Sequence, residues 1–410
     1  MEGGAGSETT PAVQHVPWTR QLAVYATGAF SNSMANVVGV ILPLWALQLD
    51  PSPFMLGLVF ASRHFLPFLF SIHGGAVMDR LGIRRVMIWM AGVGMILPLV
   101  YPLAPTLLAI ILLQMLTGFA NAMVWVGAQA SVSQLLHGSA VYAGRFSFSL
   151  RVGLLLGPPA VGLAWDLLGT WGGFVFVSLW ASGVLFAALV MGVPEDVEAR
   201  PVERVTLRAL LPRLSDYIDA FRLLAIPGMG IVVIVSSIRI ANISVQDTFL
   251  VVFLGEKGFS ATEIGLLVSI ASIAGAAFTL NAAIATRYVN AYWVMLLCVL
   301  GAIVSIAITP LIASFALLAI AAAVRGAFMG LSQPLVLTVL SESVGKEAIG
   351  KGFGLRMTAN RMASTSVPIL MGAVVGIVGL EASFYIVGGL LASVMLAIAV
   401  YMKRKPTVAA

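Results

Sequence analysis

Within one apolar run of the 410-residue chain, Ser236, Arg239, Asn242 and Gln246 recur at i, i+3, i+6 and i+10, so they share one face of a helix, with Asp247 beside them. Arg63 and His64 interrupt a second apolar run, and Arg325 a third. An ionisable group in hydrocarbon is costly, so each marks a working site by default. Two or three guanidiniums around one space suit an anion gripped bidentately. Other runs carry polar residues able to complete such a site: Asn32 and Asn36; Gln114, Asn121, Trp125 and Gln129; Ser332 and Gln333. A structural account fits the same arginines equally well, with Arg239 paired to Asp247 and Arg63 held by backbone or water. For proton transfer, Asp247 is the one acid well inside a run, and His64 comes second because imidazole titrates near neutrality.

Other chemistries are poorly supplied. The stretch "GKEAIGKG" at 345–352 puts Gly352 where a phosphate-binding loop needs Ser or Thr, and it follows an apolar run instead of a strand. His15, His64, His73 and His137 are dispersed, and Cys298 is the only cysteine, so neither a metal site nor an intrachain disulfide is expected. No nucleophile–base pair is visible. The chain is expected to be no enzyme and to need no cofactor.

The elements that position these residues follow from composition. Sixty per cent of residues are apolar and 10% are charged, too few charges to cover a water-soluble protein of this length. Apolar runs of about 20 residues, each able to cross about 30 Å of hydrocarbon as a helix, recur along the chain. They lack the alternation of a membrane β-barrel. Spans are predicted at 23–47, 54–74, 86–104, 107–135, 146–168 and 172–192, then at 229–254, 262–285, 291–311, 315–340, 355–378 and 382–402. Residues 1–17 are polar without a basic n-region, so the first span is expected to serve as its own insertion signal.

Basic residues orient the bundle. Arg20, Arg80, Arg84, Arg85, Arg145, Arg287, Lys346, Lys351, Arg356 and Lys403 fall on the side of the termini, with five more arginines between 200 and 222. The opposite side holds Lys257 against Asp50, Asp166, Glu256, Glu263 and Glu381. Both termini are therefore expected in the cytoplasm, and the net charge of +6 reflects membrane orientation, not nucleic-acid binding. The stretch 193–228 carries Leu210, Leu211, Leu214, Ile218, Phe221 and Leu224 at helical spacing beside arginines, the pattern of an amphipathic helix on the inner leaflet. The expected organisation is a tail (1–22), a six-helix half (23–192), this linker (193–228), a second six-helix half (229–402) and a tail (403–410).

The halves repeat each other. At an offset of 208 residues Gly57 falls on Gly265 and Gly118 on Gly326; at 210, Arg151 falls on Arg361, Pro158 on Pro368 and Gly162 on Gly372. Paired six-helix halves describe an alternating-access transporter with its substrate near the midplane.

The segment "GAVMDRLGIRR" at 75–85 resembles the signature loop of the major facilitator superfamily, through Gly75, Asp79, Arg80, Gly82, Arg84 and Arg85. The copy in the second half is degenerate, with Arg287 in place of the acid and Asn290 in place of Gly82. A second stretch, "GRFSFSLRVGLLLGPPAVG" at 144–162, resembles the helix-5 motif of that superfamily's drug and metabolite antiporters through Gly144, Gly153, Gly157, Pro158 and Gly162, with Val161 in place of a usual glycine. The resemblance implies an all-α, twelve-helix fold, a cavity lined by helices 1, 4, 7 and 10, and a latch at the signature loop. It also implies transport of a small molecule by a monomer in the lipid bilayer, driven by gradients. The leading expectation is export of a small anionic or amphipathic compound by proton antiport from a bacterial inner membrane. The alternatives are an uptake symporter or exchanger for an organic anion, and a non-transporting scaffold or receptor on the same fold. Glu342 at the inner end of the tenth span, with Arg356 and Arg361, is expected to form a gate salt bridge, and Asp166 to be solvated.

Overall fold

The computed structural model describes residues 16–136, 140–192, 224, 226–343 and 349–404. Among them every regular element is helical. The first helices are α1 (Trp18–Leu47), α2 (Pro53–Leu81), α3 (Ile83–Val100) and α4 (Leu107–Leu135). The next stretch, Ala140–Val190, breaks only at Gly169, whose φ of 67° suits glycine, and this gives α5 (140–168) and α6 (170–190). In the second half, α7 runs from Pro227 to Val245, widens into a π turn at Gln246–Leu250 and ends at Val251–Glu256. There follow α8 (Ala261–Thr279), α9 (Ala291–Ala307), α10 (Phe315–Ser343), α11 (Ile349–Val378) and α12 (Leu380–Arg404). The twelve predicted spans are thus twelve helices. The expected amphipathic linker helix lies almost entirely outside the described residues.

Local chemistry sets the boundaries. Ser52 Oγ accepts from the Met55 amide at 3.3 Å with Pro53 at the first position of α2, and Thr106 does the same for Ala109 at the start of α4. Ser260 and Glu263 form a reciprocal capping box on α8. Gly82 (φ 84°) turns the chain from α2 into α3, the role its place in the signature loop suggested. Two residues on, Arg84 donates to the carbonyls of Ala188 (3.1 Å) and Leu189 (2.7 Å), covering the C-terminal end of α6. Large apolar side chains stand outward, with Phe148 71% and Ile377 84% exposed, the faces that lipid covers.

The interior is divided unevenly. Near the chain termini, one cluster (Val24, Met87, Val124, Leu135 and Val184 among others) belongs to the first half and another (Val232, Met295, Val336, Leu355, Ile398) to the second. At the opposite, distal end a single cluster joins both halves, from Ile41, Trp45, Phe60 and Phe174 to Phe249, Phe253, Ile264 and Phe384. Among the described residues, the core therefore joins the halves at the distal end and is divided between them towards the termini.

The repeat glycines make that junction. A Cβ on Gly57 of α2 would lie 2.3 Å from the Pro368 carbonyl oxygen of α11, and one on Gly265 of α8 would lie 2.3 Å from that of Pro158 in α5. Likewise Gly372 faces the Pro53 oxygen (2.4 Å) and Gly162 the Ala261 oxygen (2.3 Å). Residues at the repeat offsets thus form two equivalent seams, α2/α11 and α5/α8, where helices meet backbone to backbone. Within each half the same rule holds: a Cβ on Gly118 would run into the Arg63 carbonyl oxygen, and one on Gly326 into that of Ala271.

Candidate functional site

A cavity of about 350 Å³ opens among α1, α2, α3, α4 and α6 of the first half, with one contribution from the second half, Arg361 of α11. That volume suits a small metabolite. Its polar lining includes Asn32, Arg63, His64, Gln114, Thr117, Asn121 and Arg361, with Trp125 beside them. Among the described residues, the side chains of Asn32, Arg63, His64, Asn121 and Arg361 have no hydrogen bond or ion pair to protein, so they are available to a ligand. Arg63 and Arg361 lie within electrostatic reach of His64, so a positive field acts on one small space.

The distal floor is aromatic. Tyr101 stacks on Phe174 with ring centroids 5.1 Å apart, and Trp45 meets both edge-on at 6.0 and 5.5 Å. The Tyr101 hydroxyl donates to Gln114 Oε1 at 3.3 Å and lies 3.0 Å from Thr117 Oγ1. Asp247, in the π turn of α7, is within electrostatic reach of Arg63 on one side and of Arg325 on the other, without closing to an ion-pair distance with either. It is the acid that faces both halves.

The family model of the Major Facilitator Superfamily matches residues 24–236 and 232–410, once for each half. The chain belongs to the major facilitator superfamily. Solved structures of similar fold include the nucleoside transporter NupG as a point mutant (TM-score 0.77, 17% identity, covering 92% of this chain and 99% of that one). A POT family transporter in complex with a thioalcohol-conjugated peptide has a TM-score of 0.74 at 12% identity, covering 95% of this chain and 96% of that one. At these identities the likeness shows the fold. No curated protein matches the chain in sequence.

In this superfamily member the expected site residues part company. The cavity takes Asn32, Arg63, His64 and Asn121, but not Asn36 or Gln246, which are half-buried elsewhere, nor Gln333, which is exposed. The expectation that helices 7 and 10 line the cavity alongside 1 and 4 is not met. Instead, the α7 stripe ties the second half together. Ser236 donates to Asn360 Oδ1 (2.9 Å), Arg239 Nε to Ser332 Oγ (3.0 Å) and Asn242 Nδ2 to the Ala302 carbonyl (3.2 Å). Arg239 therefore does not pair with Asp247. Arg325 is buried to 4% exposure on α10 with Nε unpartnered.

The expected gate residues are unpaired in this conformation. Glu342 is exposed and has no ion pair among the described residues. Arg356 lies over the Phe353 ring at 4.9 Å, and Arg361 lines the cavity. Among the described residues these three form no ion pair with one another. Asp166, expected to be solvated, remains exposed but binds across the α5/α8 seam. Its carboxylate accepts from the amides of Ala261 (3.0 Å) and Thr262 (2.9 Å) and from Thr262 Oγ1 (2.6 Å), capping α8. Its position one turn after Gly162 places it on the seam face, a signal legible in the sequence. Gly153 packs on Ala29, Gly157 on Val37 and Gly162 on Ala261, so the helix-5 glycines serve close packing here. Gly144 has open space around it. The side chains of Asp79 and Arg80 lie outside the described residues, as does any side-chain contact near Gly75.

Proposed function

We propose that this superfamily member is a secondary transporter for a small organic anion, which binds between Arg63, His64 and Arg361 and moves by alternating access. The observation that carries this reading is the convergence of two unpaired guanidiniums, one from each half, on one metabolite-sized cavity beside His64. Taking the terminal face as cytoplasmic, a core joined at the distal end and divided at the terminal end corresponds to a carrier open towards the cytoplasm. Both termini, the linker and the two halves are assigned accordingly, in a cell membrane of bacterial type.

The sign of proton coupling follows from Asp247. Ionised, it offsets part of the charge at Arg63 and so competes with an incoming anion; protonated, it releases Arg63 to the substrate. Proton and anion are then favoured on the carrier together, which is cotransport. This reverses the leading sequence expectation of antiport. Of the helix-5 motif glycines, which supported export, Gly153 and Gly157 are accounted for by packing on α1 and Gly162 by packing at the seam. Proton antiport with export is the second reading, resting on the helix-5 resemblance alone.

The test is flux in proteoliposomes with a panel of organic anions and an imposed pH gradient. Cotransport predicts uphill anion movement in the direction of proton flow. Arg63→Gln should lower flux at sub-saturating anion by about tenfold or more, the scale of one lost charge-assisted contact. Asp247→Asn should keep anion exchange while losing the response to the gradient. Uphill movement against proton flow would establish antiport instead, and undiminished flux in Arg63→Gln would remove the site from the substrate path.

A further inference from the structure

We propose that Gln114 is a specificity-determining residue whose Nε2 donates a hydrogen bond to a carbonyl or equivalent acceptor on the transported anion. The inference rests on the anion-carrier reading above and adds a second recognition element to it. Gln114 lines the cavity yet is only 2% exposed, and its Nε2 has no hydrogen-bond partner. Its Oε1 accepts from the Tyr101 hydroxyl at 3.3 Å, with Thr117 Oγ1 also 3.3 Å away. Thr117 is itself anchored to the Leu113 carbonyl at 2.9 Å, and Tyr101 is fixed by its stack on Phe174. The amide is thereby held at the cavity lining with its Nε2 buried and unpartnered.

A buried donor without a partner is expensive and is retained where something else completes it. The completing group must be an acceptor, because the free atom only donates. It must also be planar enough to reach the floor beside Tyr101 and Phe174, a surface that favours flat, partly apolar molecules. Gln114 and Trp125, eleven residues and about 16 Å apart along α4, both line the cavity, which also presents Arg63 and Arg361 and the aromatic rings of Tyr101 and Phe174. The ligand assigned is an organic anion with its acidic group among Arg63, His64 and Arg361 and a carbonyl group directed at Gln114. Discrimination arises because an analogue lacking the carbonyl leaves the Gln114 amide desolvated and unpaired.

The experiment uses the purified full-length protein in detergent and two matched probes, 4-acetylbenzoate and 4-isopropylbenzoate, alike in shape and charge but differing in the acceptor. Binding is followed by tryptophan fluorescence, Trp125 lying in the cavity wall. Wild type is expected to bind the acetyl compound about tenfold more tightly. In Gln114→Leu and Gln114→Met that preference should vanish while the affinity for the isopropyl compound is kept, which also shows that the variants are folded. In Arg63→Gln both compounds should weaken together with the preference intact. Equal binding of the two by wild type, binding of neither, or a preference surviving in both Gln114 variants would overturn the proposal. A preference lost in the Gln114 variants, with no effect of Arg63→Gln on either compound, would support the Gln114 contact while refuting the anion site.

Discussion

Replacing Gly265 with alanine places a methyl carbon 2.3 Å from the Pro158 carbonyl oxygen, about 1 Å inside ordinary contact, and the obstacle is backbone that cannot rotate away. The α5/α8 seam must open for the side chain to fit. Because this contact joins the two halves only where they are sealed, its cost falls on the distal-closed state and not on the state in which that end is open. Overpacking of this kind costs about 1–3 kcal/mol, which shifts a two-state equilibrium roughly 5- to 150-fold towards the distal-open form. Gly326→Ala is the control, since its 2.0 Å approach to the Ala271 oxygen lies within the second half and burdens both states alike. The assay is a spin-label distance between Pro105→Cys and Ala313→Cys, exposed sites at the distal ends of opposite halves, in a Cys298→Ser background. Gly265→Ala should add or enlarge a longer-distance population. Gly326→Ala should lower the melting temperature and leave the distances unchanged. An unaltered distance distribution in Gly265→Ala, with the variant folded, would refute the claim that this seam belongs to one conformation.

Asp166→Asn keeps the shape but removes the charge facing the α8 N-terminus, so about 1 kcal/mol of distal sealing should be lost, allowing for the exposure of the site; the same spin labels should report a longer-distance fraction, and none would deny the cap a gating role. Arg84→Ala uncovers the Ala188 and Leu189 carbonyls and should lower stability by about 1–2 kcal/mol, read as an earlier thermal transition in detergent. Asp247→Asn and Arg325→Met should each destabilise the protein, and the double variant should do so by about 1–3 kcal/mol less than the sum, because each single change strands the other's buried charge. Strict additivity would show that Asp247 and Arg325 do not interact.

The fold was largely legible in the chain because its causes are one-dimensional. Hydrocarbon thickness sets the length of each run, the unpaired backbone forces each run to be helical, and the bias of arginine and lysine fixes which loops share a side. The offset of 208–210 residues named the glycine and proline positions that turn out to form the seams. What the offset could not reveal is that Gly57 meets Pro368 and Gly265 meets Pro158, since the partner of a helix face is chosen by packing between residues far apart in sequence.

The site was legible only in part, for the same reason. Periodicity placed Ser236, Arg239 and Asn242 on one face of α7, but a polar face fits equally a cavity wall and a set of interhelical bonds. Tertiary contact with Asn360, Ser332 and Ala302 decided for the second. Gln114 carried no stronger sequence signal than its neighbours, and burial with one amide nitrogen unpaired marks it; Arg361 stood out as a charge within a span, but only the approach of α11 to the first half brings it to the cavity. Sequence alone determined that this chain is a twelve-helix membrane protein with costly buried cations. Tertiary structure decided which cations remain unpaired, because a guanidinium becomes a binding group only where folding leaves it a space and no partner.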